Sequence, residues 1–337
     1  MGDPQTPMLP AGKTPAPPSI TVVICVYTER RWSEMLAAVG SALAQSLPPS
    51  EVVVVVDHNP ALLERLRAEL ADVAGIVLIE NRQAKGLSGA RNSGSAVASG
   101  EVIAFLDDDA VAEPDWLVNL VAGYGDPTVV GVGGAIEPLW AERRPDFFPE
   151  EFDWVVGCSY RGLPATTSAV RNVIGANMSL RREVLEAVGG FRSGIGRVGT
   201  LPMGCEETEL CIRVKAQRPR STFLYEPAAR VKHHVPADRA TWRYFRSRCY
   251  AEGLSKARVV SHTDVQAGLS SERSYVLRTL PQGALRAVVA GVRQRDIGAV
   301  LSSLAIGAGL AYTTAGYIAG SYKHRFIKMS DAAPAVA

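Results

Sequence analysis

Cysteines are few in this sequence, net charge is small, and no hydrophobic run stands near the start; each scarcity excludes something. Five cysteines (Cys25, Cys158, Cys205, Cys211 and Cys249) occur in 337 residues. Their number is odd and none are paired as C-x-x-C, which argues against a disulfide framework and against a structural zinc site. A reducing, cytoplasmic setting for a catalytic domain is the expectation that follows. Lysine and arginine total 36 against 34 aspartate and glutamate, too even a balance for a dedicated nucleic-acid binder. The first 19 residues contain six prolines, one lysine and no apolar stretch. They lack the core of a secretory signal and read as a disordered tail, residues 1–19.

What is present is a regular alternation of short β-branched runs with helical stretches. Residues 20–27 read ITVVICVY, 51–56 EVVVVV, 76–80 IVLIE and 102–106 VIAFL. Helices are expected at about 31–45, after Asn59-Pro60, and near 88–98. Continuously apolar strands are buried on both faces. The β-α-β-α order therefore predicts an α/β fold with a mostly parallel central sheet and helices on both sides. Beyond residue 109 the pattern loosens. Strands are expected at 129–138 and near 172–180, and helices at 183–188 and 207–216. The aromatics of the loop-rich stretch 138–171 (Trp140, Phe147, Phe148, Trp154, Tyr160) suit either an acceptor pocket or local packing.

Ligands of such sheets sit beyond the carboxyl ends of the strands. Those ends read Tyr27-Thr28-Glu29, Asp57, Asn81-Arg82 and Asp107-Asp108-Asp109, all polar. The first and third of the aspartates are placed to share a hard divalent cation, Mn²⁺ or Mg²⁺, of the kind that bridges to substrate phosphates. Such a cation suits a reaction in which a sugar leaves a nucleoside diphosphate. An acidic turn before Pro114 is the plainer alternative. Asp57 has two readings, hydrogen bonding to a base or ribose or capping the helix after Pro60. The run from Asn81 to Asn92, with Arg82, Lys85 and Arg91 among glycines at a helix start, favours an anion such as a diphosphate. It is not a G-x-G-x-x-G, so a dinucleotide dehydrogenase is not supported. Glu206 and Glu207 open a predicted helix, where a carboxylate either removes an acceptor proton or only complements the helix dipole. His233 and His234 follow a predicted strand, and an imidazole there either completes a metal shell or is structural.

Taken together, VVICVYTE, Asp57, ENRQAKGLSGARNSG, FLDDDA, GANMSLRREVLEAVGGF and CEETEL resemble the family 2 glycosyltransferases over about residues 20–235. These are inverting enzymes of the GT-A fold that use nucleotide-diphosphate sugars. The resemblance implies that Thr28, Glu29, Asp57, Arg82 and Lys85 line the nucleotide pocket. It implies Asp107 at the ribose or metal, Asp109 as principal metal ligand and His233 as third ligand, with His234 the alternative. Family members carry glutamate then aspartate where Glu206-Glu207 stands, which puts Glu207 at the base position and Glu206 behind it. The continuation VKHHVPADRATWRYFRSRCYAEGLSKA is similar to a glucosyl-dolichyl-phosphate glucuronosyltransferase-like subgroup of actinobacterial enzymes. A lipid-linked or membrane-proximal acceptor is what that implies, and a UDP-sugar or similar nucleotide-sugar is the expected donor. A polyprenyl-phosphate glycosyl synthase, whose acceptor is already ionised, and a catalytically silent envelope scaffold are the alternatives.

The C-terminal region, 261–330, reads as helical and membrane-associated beside a catalytic domain at 20–260. Residues 213–258 hold twelve basic residues and three acidic ones. A helix over 238–258 would align Arg239, Arg243 and Arg246 on one face, beside Trp242, Phe245 and Cys249, a composition for an anionic membrane surface. Residues 297–322 carry no charge over 26 positions, long enough to cross a bilayer. Gly307-Ala308-Gly309 argues against a spanning helix, whereas Gly316-x-x-x-Gly320 suits helix packing in lipid. A spanning helix, a hairpin or interfacial pair with residues 275–292, and an oligomer interface all accommodate this pattern.

Overall fold

The structure, a computed structural model, describes residues 17–194, 204–262 and 272–331, with backbone alone for 262 and 323–331. Most of the proline-rich tail and the basic residues after Tyr322 thus lie outside the described side chains.

Strands β1 (Ile20–Val26), β2 (Glu51–Val56), β3 (Ile76–Glu80) and β4 (Val102–Asp107) form the parallel half of a nine-stranded sheet, in the order β3-β2-β1-β4. Three of these strands are buried almost throughout because helices cover both faces, as their unbroken apolar character requires. Alternation sorts their residues. Val22, Ile24 and Val26 pack with α1 (Trp32–Leu43), α2 (Pro60–Glu69) and α4 (Trp116–Ala122). Val23, Val53 and Phe105 pack with α3 (Leu87–Val97), α5 (Arg182–Ala187) and α6 (Glu206–Gln217) on the other face. Gly94 lets α3 press onto the sheet, since a Cβ there would lie 2.5 Å from Val23 Cγ1. Asn59 caps α2 by accepting from the Leu62 amide, with Pro60 in the first helical turn.

The second half of the sheet is mixed. β8 (Asn177–Arg181) runs antiparallel to β4 and to β6 (Val129–Trp140), and β9 (Thr222–Val235) lies parallel to β6. Two short strands, β5 (Ala110–Ala112) and β7 (Ser168–Val170), each pair antiparallel with β9. The strand expected near 172–180 starts only at Asn177, as β8, with residues 171–176 looping from β7 into it. β5 fixes the acidic turn: Ala110 pairs with His233, and the Asp109 carbonyl accepts from the His234 amide at 2.7 Å.

Beyond β9, a 3-10 turn (Ala237–Ala240) leads into α7 (Trp242–His262). A π-helical turn (Tyr275–Thr279) then leads into α8 (Leu280–Gln294), and α9 (Ile297–Asp331) completes the described chain. α9 runs without a break through Gly307-Ala308-Gly309. The Gly316-x-x-x-Gly320 pair packs on α7 of the same chain: a Cβ on Gly316 would sit 2.1 Å from the Tyr250 carbonyl oxygen, and one on Gly320 2.8 Å from Ala257 Cβ. The loop aromatics divide. Phe147, Phe148 and Phe152 stack with Phe245 of α7 as local packing, while Trp154 lines a cleft.

Candidate active site

The carboxyl ends of β1, β2 and β4, the start of α6, the end of β9 and the first turns of α7 surround a cleft of about 720 Å³. At its centre lies the acidic turn. One ligand atom each from Asp107, Asp109 and His233 falls within 4.8 Å of the others. Asp109 Oδ1 stands 3.1 Å from His233 Nε2, and Asp109 Oδ2 stands 2.9 Å from Arg31 Nη1. Burial alone would raise the Asp109 carboxyl, but His233 and Arg31 hold it well below the ordinary aspartate range. Burial opposes charge on His233 as well, and the Asp109 carboxylate overrides it and raises the imidazole. His234 is directed to the other side of β9, toward Glu34 at 3.7 Å.

The three aspartates are unequal. Asp108 Oδ1 accepts from Arg31 at 2.6 Å, while its Oδ2 is buried without a partner among the described residues. Burial, with the adjacent Asp109 and Asp107 charges adding to it, pushes this carboxyl up to about 7 against the pull of Arg31. Asp107 is the most open of the three and accepts from Arg91 Nη2 at 3.3 Å. The buried Arg91 guanidinium also donates to Glu206 Oε1 at 3.3 Å and to the Gly175 carbonyl at 3.1 Å. One cation thus joins the end of β4 to the start of α6.

Glu206 and Glu207 form the opposite wall. Glu206 Oε2 is buried and without a partner among the described residues. Glu207 is half-buried, and burial, with the Glu206 charge next to it, pushes its carboxyl up to about 8. Asp57 accepts from Asn81 at 2.6 Å, from the Gly86 amide at 2.9 Å, and pairs with His58 Nδ1 at 2.9 Å. It fastens the loop that carries Lys85, and it caps no helix, since Asn59 does that. Lys85 and Arg91 line the cleft, whereas Thr28, Glu29 and Arg82 lie outside its lining. Thr28 instead accepts from the Arg30 amide to cap the turn that presents Arg31, and Glu29 accepts from Asn59.

Several lining residues escape sequence reasoning, among them Arg31, Arg239, Tyr244 and Arg248. Arg239 is not on a helix face with Arg243 and Arg246. It sits in the 3-10 turn, 12% exposed, with Nη1 3.9 Å from Asp109 Oδ2. The turn signal Pro236-Ala237-Asp238 before α7 is the feature that separates it from the helix.

Asp107 at the end of β4, Asp109 beside it and His233 on β9 form a group that could hold a metal ion, and solved structures of GT-A nucleotide-diphospho-sugar transferases agree on the fold. A Pyrobaculum calidifontis mannosyltransferase, determined with GDP-Man and Mn²⁺, matches with a TM-score of 0.58 at 22% identity, covering 96% of this chain and 92% of that one. GalNAc-T7, determined with UDP, GalNAc and Mn²⁺, matches with a TM-score of 0.51 at 18% identity over 77% of this chain and 55% of that one. The model of glycosyl transferase family 2 matches residues 21–189, and the chain belongs to this family. A glucosyl-dolichyl phosphate glucuronosyltransferase of Haloferax volcanii is 38% identical over 238 residues, 70% of this chain and 76% of that protein. A pre-mycofactocin glycosyltransferase of Mycobacterium tuberculosis is 29% identical over 76% of this chain but only 52% of its own length, so the chain spans about half of that relative. The protein is a glycosyltransferase.

Proposed function

We propose that the protein transfers a sugar, with inversion, from a nucleotide-diphosphate sugar, UDP-linked, to a hydroxyl of a lipid-linked or other membrane-associated glycan at the inner face of the membrane. The observation that carries this reading is the approach of Asp107, Asp109 and His233 within 4.8 Å in a cleft that Glu207 also lines. The name of the Haloferax relative, which pairs a dolichyl-phosphate-linked sugar with a uronosyl transfer, supports the acceptor class.

Two carboxylates and an imidazole fit a Mn²⁺ or Mg²⁺ ion, the oxygens suiting a hard cation and the nitrogen favouring Mn²⁺ of the two. Such an ion would supply neutralisation of the charge that develops on the departing diphosphate. The chain's own residues do the rest. Asp57 and Lys85 form the nucleotide end, with Arg31 and Arg239 providing further positive charge toward the diphosphate. Thr28 and Glu29 position the turn that carries Arg31, and Arg82 is outside this set. Glu207 receives the proton of the acceptor hydroxyl as that oxygen attacks the anomeric carbon from the face opposite the leaving group. Glu206, held by Arg91, raises the basicity of Glu207. An acceptor hydroxyl, rather than a lipid phosphate, is favoured because a group with the basicity of Glu207 is superfluous for an acceptor already ionised.

The test compares Asp109→Ala with Asp108→Ala for transfer and for Mn²⁺ binding by calorimetry. Asp109→Ala is expected to lose both, and Asp108→Ala to keep measurable Mn²⁺ binding. Equal behaviour of the two variants, or transfer without any divalent cation, would sink the mechanism. Retained transfer in Glu207→Ala would instead indicate a phosphate acceptor.

A further inference from the structure

The C-terminal helices carry their apolar character on the wrong side for a soluble protein. In α9 the face turned to the catalytic domain buries Ile306 and is otherwise built of Ala305, Gly309, Gly316 and Gly320, small residues that bring backbones together. The outward stripe carries the large side chains, Ile297, Val300, Leu301, Leu304, Ile318 and Tyr322, at helical spacing. α8 adds Leu285, Val288, Val289 and Val292. The two helices form a hairpin: Gly291 of α8 packs against Val300, and Ser303 of α9 donates to the Ala284 carbonyl at 3.3 Å. The most exposed members, Val292 at 74% and Ile297 at 76%, lie on either side of its turn. Residues 273–322 contain five arginines (Arg273, Arg278, Arg286, Arg293 and Arg295) and one acidic residue, Asp296. An apolar patch of this extent marks an interaction surface; Arg286 is paired with Glu151 and Asp146 and Asp296 stand at the turn, so Arg273, Arg278, Arg293 and Arg295 supply the basic excess that selects an anionic partner.

Helix α9 is long and apolar enough to cross a membrane, but its packing opposes that. Its backbone touches that of α7, since a Cβ on Gly253 would meet the Thr313 carbonyl oxygen at 2.1 Å. Helix α7 carries Arg243, Arg246, Arg248, Glu252 and Lys256. Moving α9 into the hydrocarbon would take that charged helix with it, which the bilayer penalises. Lying flat satisfies both helices, with the apolar stripe in the acyl boundary and the arginines among headgroups.

We infer that the α8–α9 hairpin is a monotopic docking surface for an anionic lipid bilayer, not a membrane span and not a dimer interface. It deepens the proposed use of a membrane-associated acceptor and rests on that reading only for its purpose, because docking itself needs neither donor nor transfer. Helix α7 joins this surface to the cleft: its Tyr244 and Arg248 line the cleft, while its Gly253 lies against α9. Helix α7 thus runs from the docked hairpin to the cleft that Glu207 lines.

The experiment floats the full-length chain with vesicles of phosphatidylcholine alone and of phosphatidylcholine with phosphatidylglycerol, at low and high salt. Binding is expected only with the anionic vesicles, weakened by salt and released by alkaline carbonate. Leu285→Glu with Leu304→Glu is expected to abolish it. Arg278→Gln with Arg293→Gln is expected to lower it about 25-fold, about fivefold for each arginine. Both double variants should keep the wild-type melting temperature and nucleotide-sugar binding, which shows that they fold and tests the catalytic reading separately. Resistance to carbonate in the wild type would overturn the inference in favour of a spanning helix. So would flotation with neither vesicle, whether the chain is then monomeric or a dimer that the Leu→Glu pair dissociates in light scattering.

Discussion

Replacing Glu207 by glutamine separates two consequences of one carboxyl group. Burial, with Glu206 beside it, holds the Glu207 proton up to about pH 8, against 4.5 for an ordinary glutamate. In the unfolded chain the group ionises near 4.5, so between the two values the folded protein binds one proton more than the unfolded one. Stability must then fall as pH rises through that window and level off above it. At roughly 1.4 kcal/mol per pH unit the ceiling on this loss is about 5 kcal/mol. Water and side chains relax around a half-buried carboxylate, so about 2–3 kcal/mol is expected in practice. Urea unfolding of wild type and Glu207→Gln, without donor or metal, measures it as a difference in which the distant titrating groups cancel. The two proteins are expected to match at about pH 4. At about pH 9 the variant is expected to be the more stable one. In the same variant transfer should drop roughly 10²- to 10⁴-fold, and the wild-type rate should climb with pH toward 8. Parallel stability curves, or transfer within a few-fold of wild type, would refute the reasoning. A large transfer loss in Glu206→Gln with little in Glu207→Gln would hand the role to its neighbour.

Two further outcomes follow from the geometry. Arg31→Ala removes the cation that sits 2.6 Å from Asp108 and 2.9 Å from Asp109, so calorimetric Mn²⁺ affinity without donor should rise about tenfold while KM for the donor rises. Gly316→Ala places a methyl 2.1 Å from a backbone oxygen of α7 and should cost about 1–3 kcal/mol in unfolding experiments. Its control is Gly307→Ala, where nothing lies within 4 Å and helix propensity should give a gain of about 0.5–1 kcal/mol.

The parallel half of the fold is plain in the amino-acid order because its signals are local. Three strands apolar at nearly every position need helices on both faces, and the polar residue that ends each strand marks the cleft. The cysteine pattern is equally direct, with all five thiols free. Contacts made over long separations are not readable in that way. Asp109 meets His233 only because a three-residue strand, β5, pairs with β9 more than a hundred positions later, and three residues carry no periodicity. Arg31 stands in an Arg30-Arg31 pair that looks like any solvated helix start, and only the fold turns one member inward. Arg239 shares a helical repeat with Arg243 and Arg246, yet a 3-10 turn breaks the repeat before it acts. The glycines of α9 announce a close helix contact, and their spacing is silent on whether the partner is α7 or another chain.

The bridge made by Arg91 decides how the enzyme can be re-engineered. Glu206, Asp107 and the Gly175 carbonyl share one enclosed guanidinium, and Gly175 has no room for a side chain, since its Cβ would lie 2.8 Å from Arg91 Nη2. The wall formed by α6 therefore cannot be exchanged as a cassette: a transplanted α6 that lacks a partner for Arg91 leaves that buried cation with Asp107 and the Gly175 carbonyl alone. Changes of acceptor preference belong at the cleft residues outside this cluster, Trp154 and Tyr244 first among them.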